Sequence, residues 1–220
     1  MSTEPLTNGV SARTATPENG ERTAPARMPR PARRAQLLQA AREVFVAQGY
    51  HAAAMDDIAE RAGVSKPVLY QHFPGKMELY LALLETHTNQ LVQQVKRALD
   101  STTDNKLRVH QAVEAYYEFV DNEDGSFRLV FETDLGNDPA VRELVDRGNR
   151  VCAEAIADTI AADTGLPREH AELLATGLIG AAQVSARSWL ATDRAVPKAE
   201  AIELMAAVSW RGISGFPRHP

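Results

Sequence analysis

Between Ser65 and Lys76 the chain gathers a hydroxyl, two ammonium groups, an amide, an imidazole and a phenol, in the run Ser65-Lys66-Pro67-Val68-Leu69-Tyr70-Gln71-His72 followed by Lys76. These are donors suited to a polyanion rather than groups set up for bond breaking. Lys66 and Gln71 carry the functions that pair with guanine O6/N7 and adenine N6/N7 respectively. Pro67 and Val68 offer apolar surface to thymine methyls. Ser65 stands where a helix N-cap belongs, and capping there leaves neighbouring backbone N–H groups pointing at a phosphate. Upstream, Arg33 and Arg34, with Arg30, can reach phosphates or an adjacent minor groove. Each residue also has a plainer use: Tyr70 as a packing residue, Lys66 on a phosphate, the arginines as a solvated face.

Other chemistries find no footing. The histidines stand at His51, His72, His87, His110, His170 and His219, with no pair at the i, i+3 or i, i+4 spacing of a helical metal site. There is no Gly-x-Ser-x-Gly elbow and no Gly-rich phosphate loop after a strand, and Cys152 is the single cysteine. No catalytic residue, metal or cofactor is therefore expected, and an enzyme is the minor alternative. One cysteine excludes an intramolecular disulfide and fits a reducing compartment. No secretory apolar run opens the chain. The uncharged stretch Leu173–Ala186 is bounded by Glu172 and Arg187, short of the roughly 20 residues a membrane span needs. A soluble cytoplasmic protein with no membrane partner is the expectation.

The 220 residues are 44% hydrophobic and 24% charged, enough for a substantial core. The net charge of −5 is unevenly distributed. Through Tyr80 there are ten Lys/Arg against eight Asp/Glu, and beyond it fourteen against twenty-one. An acidic body with a slightly basic front implies that a polyanion meets only the front.

The elements that must position the first cluster read as helices. Residues 1–30 are rich in Pro, Thr, Ala, Asn and Arg with few large apolar residues, and are expected to form a disordered arm. From Pro31, Leu37, Leu38, Ala41, Val44 and Phe45 recur at helical spacing until Gly49. A short helix follows from about Met55 to Ala62, and Gly63-Val64 turns the chain into a third that ends at Pro74-Gly75. Gly63 suits a positive φ and Val64 plugs the angle between the two helices. A long amphipathic helix spans about Lys76 to Leu99, and others are expected near 104–122, 138–163, 167–190 and 197–214. Ser126–Asp134 is compatible with helix or strand. The fold class is all-α, with an N-terminal three-helix helix-turn-helix unit in which the third helix enters the major groove.

The run MDDIAERAGVSKPVLYQHFPGKMELYLALL, Met55 to Leu84, together with Phe45…Gly49-Tyr50, resembles the DNA-binding signature of the TetR family of one-component bacterial regulators. The resemblance covers about Arg33–Leu84, with Ile58-Ala59, Ala62-Gly63-Val64-Ser65, Leu69-Tyr70, His72-Phe73 and Lys76 in register. It implies that Tyr70, His72 and Lys76 grip the DNA backbone. One departure is that Ala52-Ala53-Ala54 stands where the family often has Ser or Thr before the second helix. The domains expected are the arm at 1–30, a DNA-binding head at 31–78 and an effector-binding and dimerisation body at 79–216.

The resemblance further implies a homodimer on an inverted-repeat duplex, held by the last two helices, with Leu173, Gly177, Gly180, Val184, Ile202, Met205 and Val208 as seam residues. Small residues on the helix expected near 167–190 suit a close seam or a slender ligand, because each interior Gly costs about 1 kcal/mol against Ala. Gly125–Asp134 (GSFRLVFETD) and Ser65–Phe73 resemble an actinobacterial TetR subgroup that controls fatty-acid biosynthesis and answers to long-chain acyl-CoA. On that reading the effector pocket comprises Phe119, Phe127, Val130, Phe131, Leu178 and Trp189, with Arg128 or Arg187 meeting the polar head. The competing readings are a multidrug- or metabolite-responsive regulator of the same family and a helical adaptor that binds protein.

Overall fold

The computed structural model describes residues 28–122, 125–131 and 135–212, which form helices and their connections with no strand among them. The order is α1 Arg30–Ala52, α2 Met55–Arg61, α3 Lys66–His72, α4 Lys76–Asp100, α5 Asn105–Val120, α6 Ser126–Phe131, α7 Pro139–Thr164, α8 Arg168–Ala191 and α9 Lys198–Arg211. The all-α expectation holds. The expected arm lies outside the described residues up to Arg27, as do the last residues of the expected body.

Sequence patterning explains most boundaries. Pro31 occupies the first turn of α1, and Pro139 that of α7, where a missing N–H costs little. Asp104 and Asp138 cap α5 and α7 by accepting backbone amides. Gly165 ends α7 with φ 71°. Two details depart from the sequence reading. Gly49 does not end α1 but kinks it at φ 75°, and the helix continues to Ala52. The ambiguous segment opens as helix, α6, while residues 132–134 lie outside the described set.

The first three helices and the turn after them pack Leu37, Val44, Phe45, Ile58, Leu69 and Phe73 into the head's part of a core that continues into the body. α4 leaves that core, carrying Leu79 and Tyr80 within it and Leu91 and Val95 far into the body. Phe45 meets Tyr80 edge-on at 5.3 Å, and Tyr80 donates from its hydroxyl to Leu129 O at 3.2 Å. Gly125, at φ +70°, lies so close to Val46 that a Cβ would sit 2.8 Å from Cγ1. α6 is thus wedged between α1 and α4. The expected boundary at residue 78 falls in the first turn of α4, which both halves share.

In the body the chain runs outward along α4, back along α5, out along α7, back along α8 and out along α9. Ion pairs mark the two ends. Near the head, Lys198 reaches Glu118 at 2.9 Å and Asp121 at 3.0 Å, and Arg194 also holds Asp121. At the far end, Arg108 holds Asp163 at 2.8 Å. Between them α4 and α7 cross at Gly148, where Thr88 Cγ2 fills the space a β-carbon would need. Gly148→Ala should cost about 1–3 kcal/mol through overpacking. Urea unfolding followed by helical circular dichroism should place its midpoint below wild type, with Thr88→Ser, which removes that methyl, recovering most of the loss.

Candidate nucleic-acid interface and effector cavity

The α2–α3 turn forms as its residue types require. Gly63 has φ 64°, its N–H reaches Glu60 O, and Val64 N–H reaches Ala59 O. Val64 is half-buried against the core beneath the turn. Leu69 and Phe73 anchor α3 inward, leaving Lys66, Pro67, Tyr70 and Gln71 exposed and Val68 half-buried. Tyr70 is 47% exposed, too open for a packing role alone. Ser65 occupies the N-cap position, but its hydroxyl makes no capping bond, which corrects that expectation; its carbonyl accepts from Val68 N–H at 3.0 Å. At α2 the missing Ser or Thr is offset from within the helix, as Asp57 Oδ2 accepts the Ala54 N–H at 3.4 Å.

The basic residues are held in place by polar contacts. Arg33 donates to Gln36 Oε1 at 2.7 Å, and Gln36 donates to Ala62 O at 2.8 Å, joining the start of α1 to the end of α2. Arg34 lies over the Phe73 ring, 4.5 Å from its centre. Lys66 Nζ donates to Asp56 Oδ2 at 2.6 Å. Met28, Arg30, Arg33, Val68, Gln71 and His72 border a polar hollow between the start of α1 and α3. Burial, and then the charges of Arg30, Arg34 and Arg33, hold the His72 imidazole below its usual range. Gln36 escaped the sequence reading, because a single amide on a helix face carries no spacing signal.

Lys76 is engaged within the head. Its ammonium donates to Tyr50 O at 2.8 Å, Ala53 O at 2.9 Å and His51 O at 3.3 Å, and lies 4.5 Å from the centre of the Tyr50 ring. These are carbonyls that the end of α1 leaves without helical partners, so a cation is favourable there.

The body holds an apolar cavity of about 330 Å³ among the far end of α4, α5, α7, α8 and α9. Asn105, Arg108, Val109, Ala112, Val113 and Tyr116 form one stripe of α5 along it, over a rise of about 16 Å at 1.5 Å per residue. Ile156 and Ile160 of α7, Leu178 and Ala182 of α8 and Trp210 of α9 complete the wall. Of the expected pocket residues whose side chains are described, only Leu178 lines it. Phe119, Phe127 and Val130 are packed into the core, and Trp189 is buried with its indole N–H donating to Val196 O at 2.7 Å. Arg128 and Arg187 are exposed and do not border the cavity, and the Phe131 side chain lies outside the described residues. Arg108 stands at the outer end, its guanidinium bonded to Leu99 O, Thr102 O, Asn105 and Asp163.

The expected seam residues divide. Leu173 is 75% and Val184 63% exposed, and Gly177 and Gly180 have no other group among the described residues, beyond their own helix backbone, within 4 Å of where a β-carbon would be. At positions 173, 177, 180 and 184 they follow one face of α8. Ile202 instead faces its own chain's core, with Met205 and Val208 half-buried. Leu174, Leu204 and Trp210 add exposed apolar surface that the sequence reading did not select. No helix among the described residues is long and apolar enough to cross a membrane.

Comparison with known proteins agrees with this layout. Residues 37–83 match the family described as bacterial regulatory proteins, tetR family, and residues 105–212 match the tetracyclin repressor-like C-terminal domain. The HTH-type transcriptional activator FasR of Mycolicibacterium smegmatis is 48% identical over 191 residues, 87% of each chain. A TetR-like transcriptional regulator from Rhodococcus sp. RHA1 has a TM-score of 0.68 at 28% identity, over 86% of this chain and all of that one. The regulator FadR of Bacillus subtilis, solved in complex with stearoyl-CoA, shares the fold at a TM-score of 0.66 and 17% identity, over 81% of this chain and 98% of that one.

The lysine at the start of α4 has a consequence measurable without any ligand. Lys76→Met keeps the length of the side chain and removes three charge-assisted bonds, so the head should lose about 1.5–3 kcal/mol of stability. Denaturant unfolding of the free protein measures this, and an unchanged midpoint would leave the lysine no structural part.

Proposed function

Because the chain belongs to the tetR family of bacterial regulatory proteins and is a DNA-binding transcriptional regulator, we propose that it controls lipid metabolism genes in response to a long-chain acyl-CoA. The observation that carries the effector reading is the elongated apolar cavity along α5. A slender acyl chain fits such a space and gains about 0.8 kcal/mol per buried CH₂. Further support comes from the likeness of Gly125–Asp134 to acyl-CoA-responsive regulators and from the stearoyl-CoA held by FadR in the same fold. The acyl chain occupies the space between α5, α7 and α8, and the charged head stays outside. The sense of regulation follows the 48%-identical FasR, an activator.

On the DNA side, α3 enters the major groove with Lys66 and Gln71 at base edges and Pro67 and Val68 beside methyl groups. Tyr70, His72 and the Ser65 backbone meet phosphates, and Arg33 and Arg34 reach along the groove edge. Two copies bind an inverted repeat, paired through Leu173, Gly177, Gly180 and Val184 of α8 with help from α9. The domain limits follow: a DNA-binding head at 31–78 and an effector-binding and dimerisation body from 79.

Histidine titration supplies one test. Free His72 is neutral near pH 7, since its pKa is lowered. Duplex phosphates offset the arginine charges and return that pKa upward. Association then takes up a proton between the free and bound values. The DNA association constant should rise as pH falls through the bound value and level off below the free one. His72→Gln should flatten the profile in fluorescence anisotropy; an affinity that climbs with pH instead would contradict the placement.

A gel shift with acyl-CoAs of graded length tests the effector directly. Long chains should alter operator binding and free CoA should not. Ala112→Phe, which fills the cavity, should keep DNA binding while losing the response. If long and short chains act alike, or the filled variant responds as wild type, the acyl reading is wrong.

A further inference from the structure

The contact between Lys66 and Asp56 joins the first residue of α3 to the first turn of α2. In a helix-turn-helix unit the first of these two helices crosses the DNA backbone while the second enters the groove. Asp56 is therefore an anion on the side of the head that faces phosphates, and it holds a cation proposed to read a base. Asp57 beside it serves the helix, accepting the Ala54 N–H, whereas the Asp56 carboxylate is directed to Lys66. Both partners of the pair are more than half exposed, so the bond exchanges readily with an incoming acceptor.

We infer that Asp56 is a specificity-determining residue: it competes with the duplex for the Lys66 ammonium, so that only a guanine edge presented in register displaces it. A phosphate offers Lys66 one charged acceptor in place of another and brings its own charge close to Asp56. A guanine offers O6 and N7 together without a net charge. The carboxylate thus penalises contact with any backbone more than contact with the correct base. This inference rests on the proposed placement of Lys66 at a base edge.

The experiment compares two DNA probes. One is the tightest duplex that wild-type protein selects from a randomised library; the other is a scrambled duplex of the same composition. Asp56→Asn should tighten binding to the scrambled duplex by about fivefold per subunit, the upper range of an exposed ion pair. Binding to the selected duplex should change less, so discrimination falls. On the scrambled duplex the slope of log K against log salt should steepen by about 0.9 per subunit, one further phosphate neutralised by each of the two copies. Asp56→Glu should restore discrimination, which a loss of helix packing would not allow. In a Lys66→Met background, Asp56→Asn should no longer alter the ratio between the probes. If Lys66→Met alone binds the selected duplex as wild type, the placement of Lys66 fails and the inference with it. If Lys66→Met weakens binding but Asp56→Asn leaves discrimination and salt slope unchanged, the inference alone is overturned.

Discussion

The arrangement of the head depends on how the end of α1 is closed. A helix end leaves carbonyls without partners, and here three of them, from Tyr50, His51 and Ala53, converge on the ammonium of Lys76 at the start of α4. One side chain thus closes the junction between α1 and α2 and fixes where α4 leaves the head. The Tyr50 ring lies against the same ammonium and 5.2 Å from the Tyr80 ring, so the closure continues into the aromatic contact that seats α4. Because α4 extends to Asp100, a rotation at Lys76 is carried through the body. The head cannot tilt relative to α4 without breaking bonds to a charged donor.

α6 makes that constraint reciprocal. The residue leading into it, Gly125, meets Val46 of α1, and α6 itself touches α4 through the Leu129 carbonyl and the Tyr80 hydroxyl. The positive φ at Gly125 lets the chain pass without a β-carbon where Val46 leaves no room for one. A shift of the body near α5 and α7 therefore meets the head at two places, the start of α4 and the wedge of α6. By linkage, whatever a bound effector does to DNA affinity, DNA does equally to effector affinity.

The head was legible in the sequence because its residues act locally. Gly63 requires a turn, Val64 fills it, and Leu69 and Phe73 at i, i+4 fix which side of α3 faces out. Ser65 was legible only in position: residue type announced a cap, while the rotamer of a hydroxyl depends on surroundings that a sequence does not encode. The expected pocket residues and the cavity differ for a related reason. Aromatic residues stand out in a sequence, but Phe119, Phe127 and Trp189 fill space, and a cavity arises where smaller side chains face each other. Ala112, Val113 and Ala182 leave that room together only once α5 and α8 are packed. The α5 stripe from Asn105 to Tyr116 was visible as helical periodicity, with nothing to distinguish a lining face from a filled one.

α8 connects the two functions proposed for the body. Its inward face contributes Leu178, Ile179 and Ala182 to the cavity wall. Its outward face carries Leu173, Gly177, Gly180 and Val184, apolar or small and facing open space within one chain. Two helix-interior glycines cost about 1 kcal/mol each relative to alanine, and no packing among the described residues requires them. A second backbone approaching that face would make the missing β-carbons useful. In such a dimer the cavity wall and the seam are opposite sides of one helix. A ligand that pushes Leu178 and Ala182 outward then moves the surface on which the partner rests, and the spacing of the two heads changes because the wall is shared.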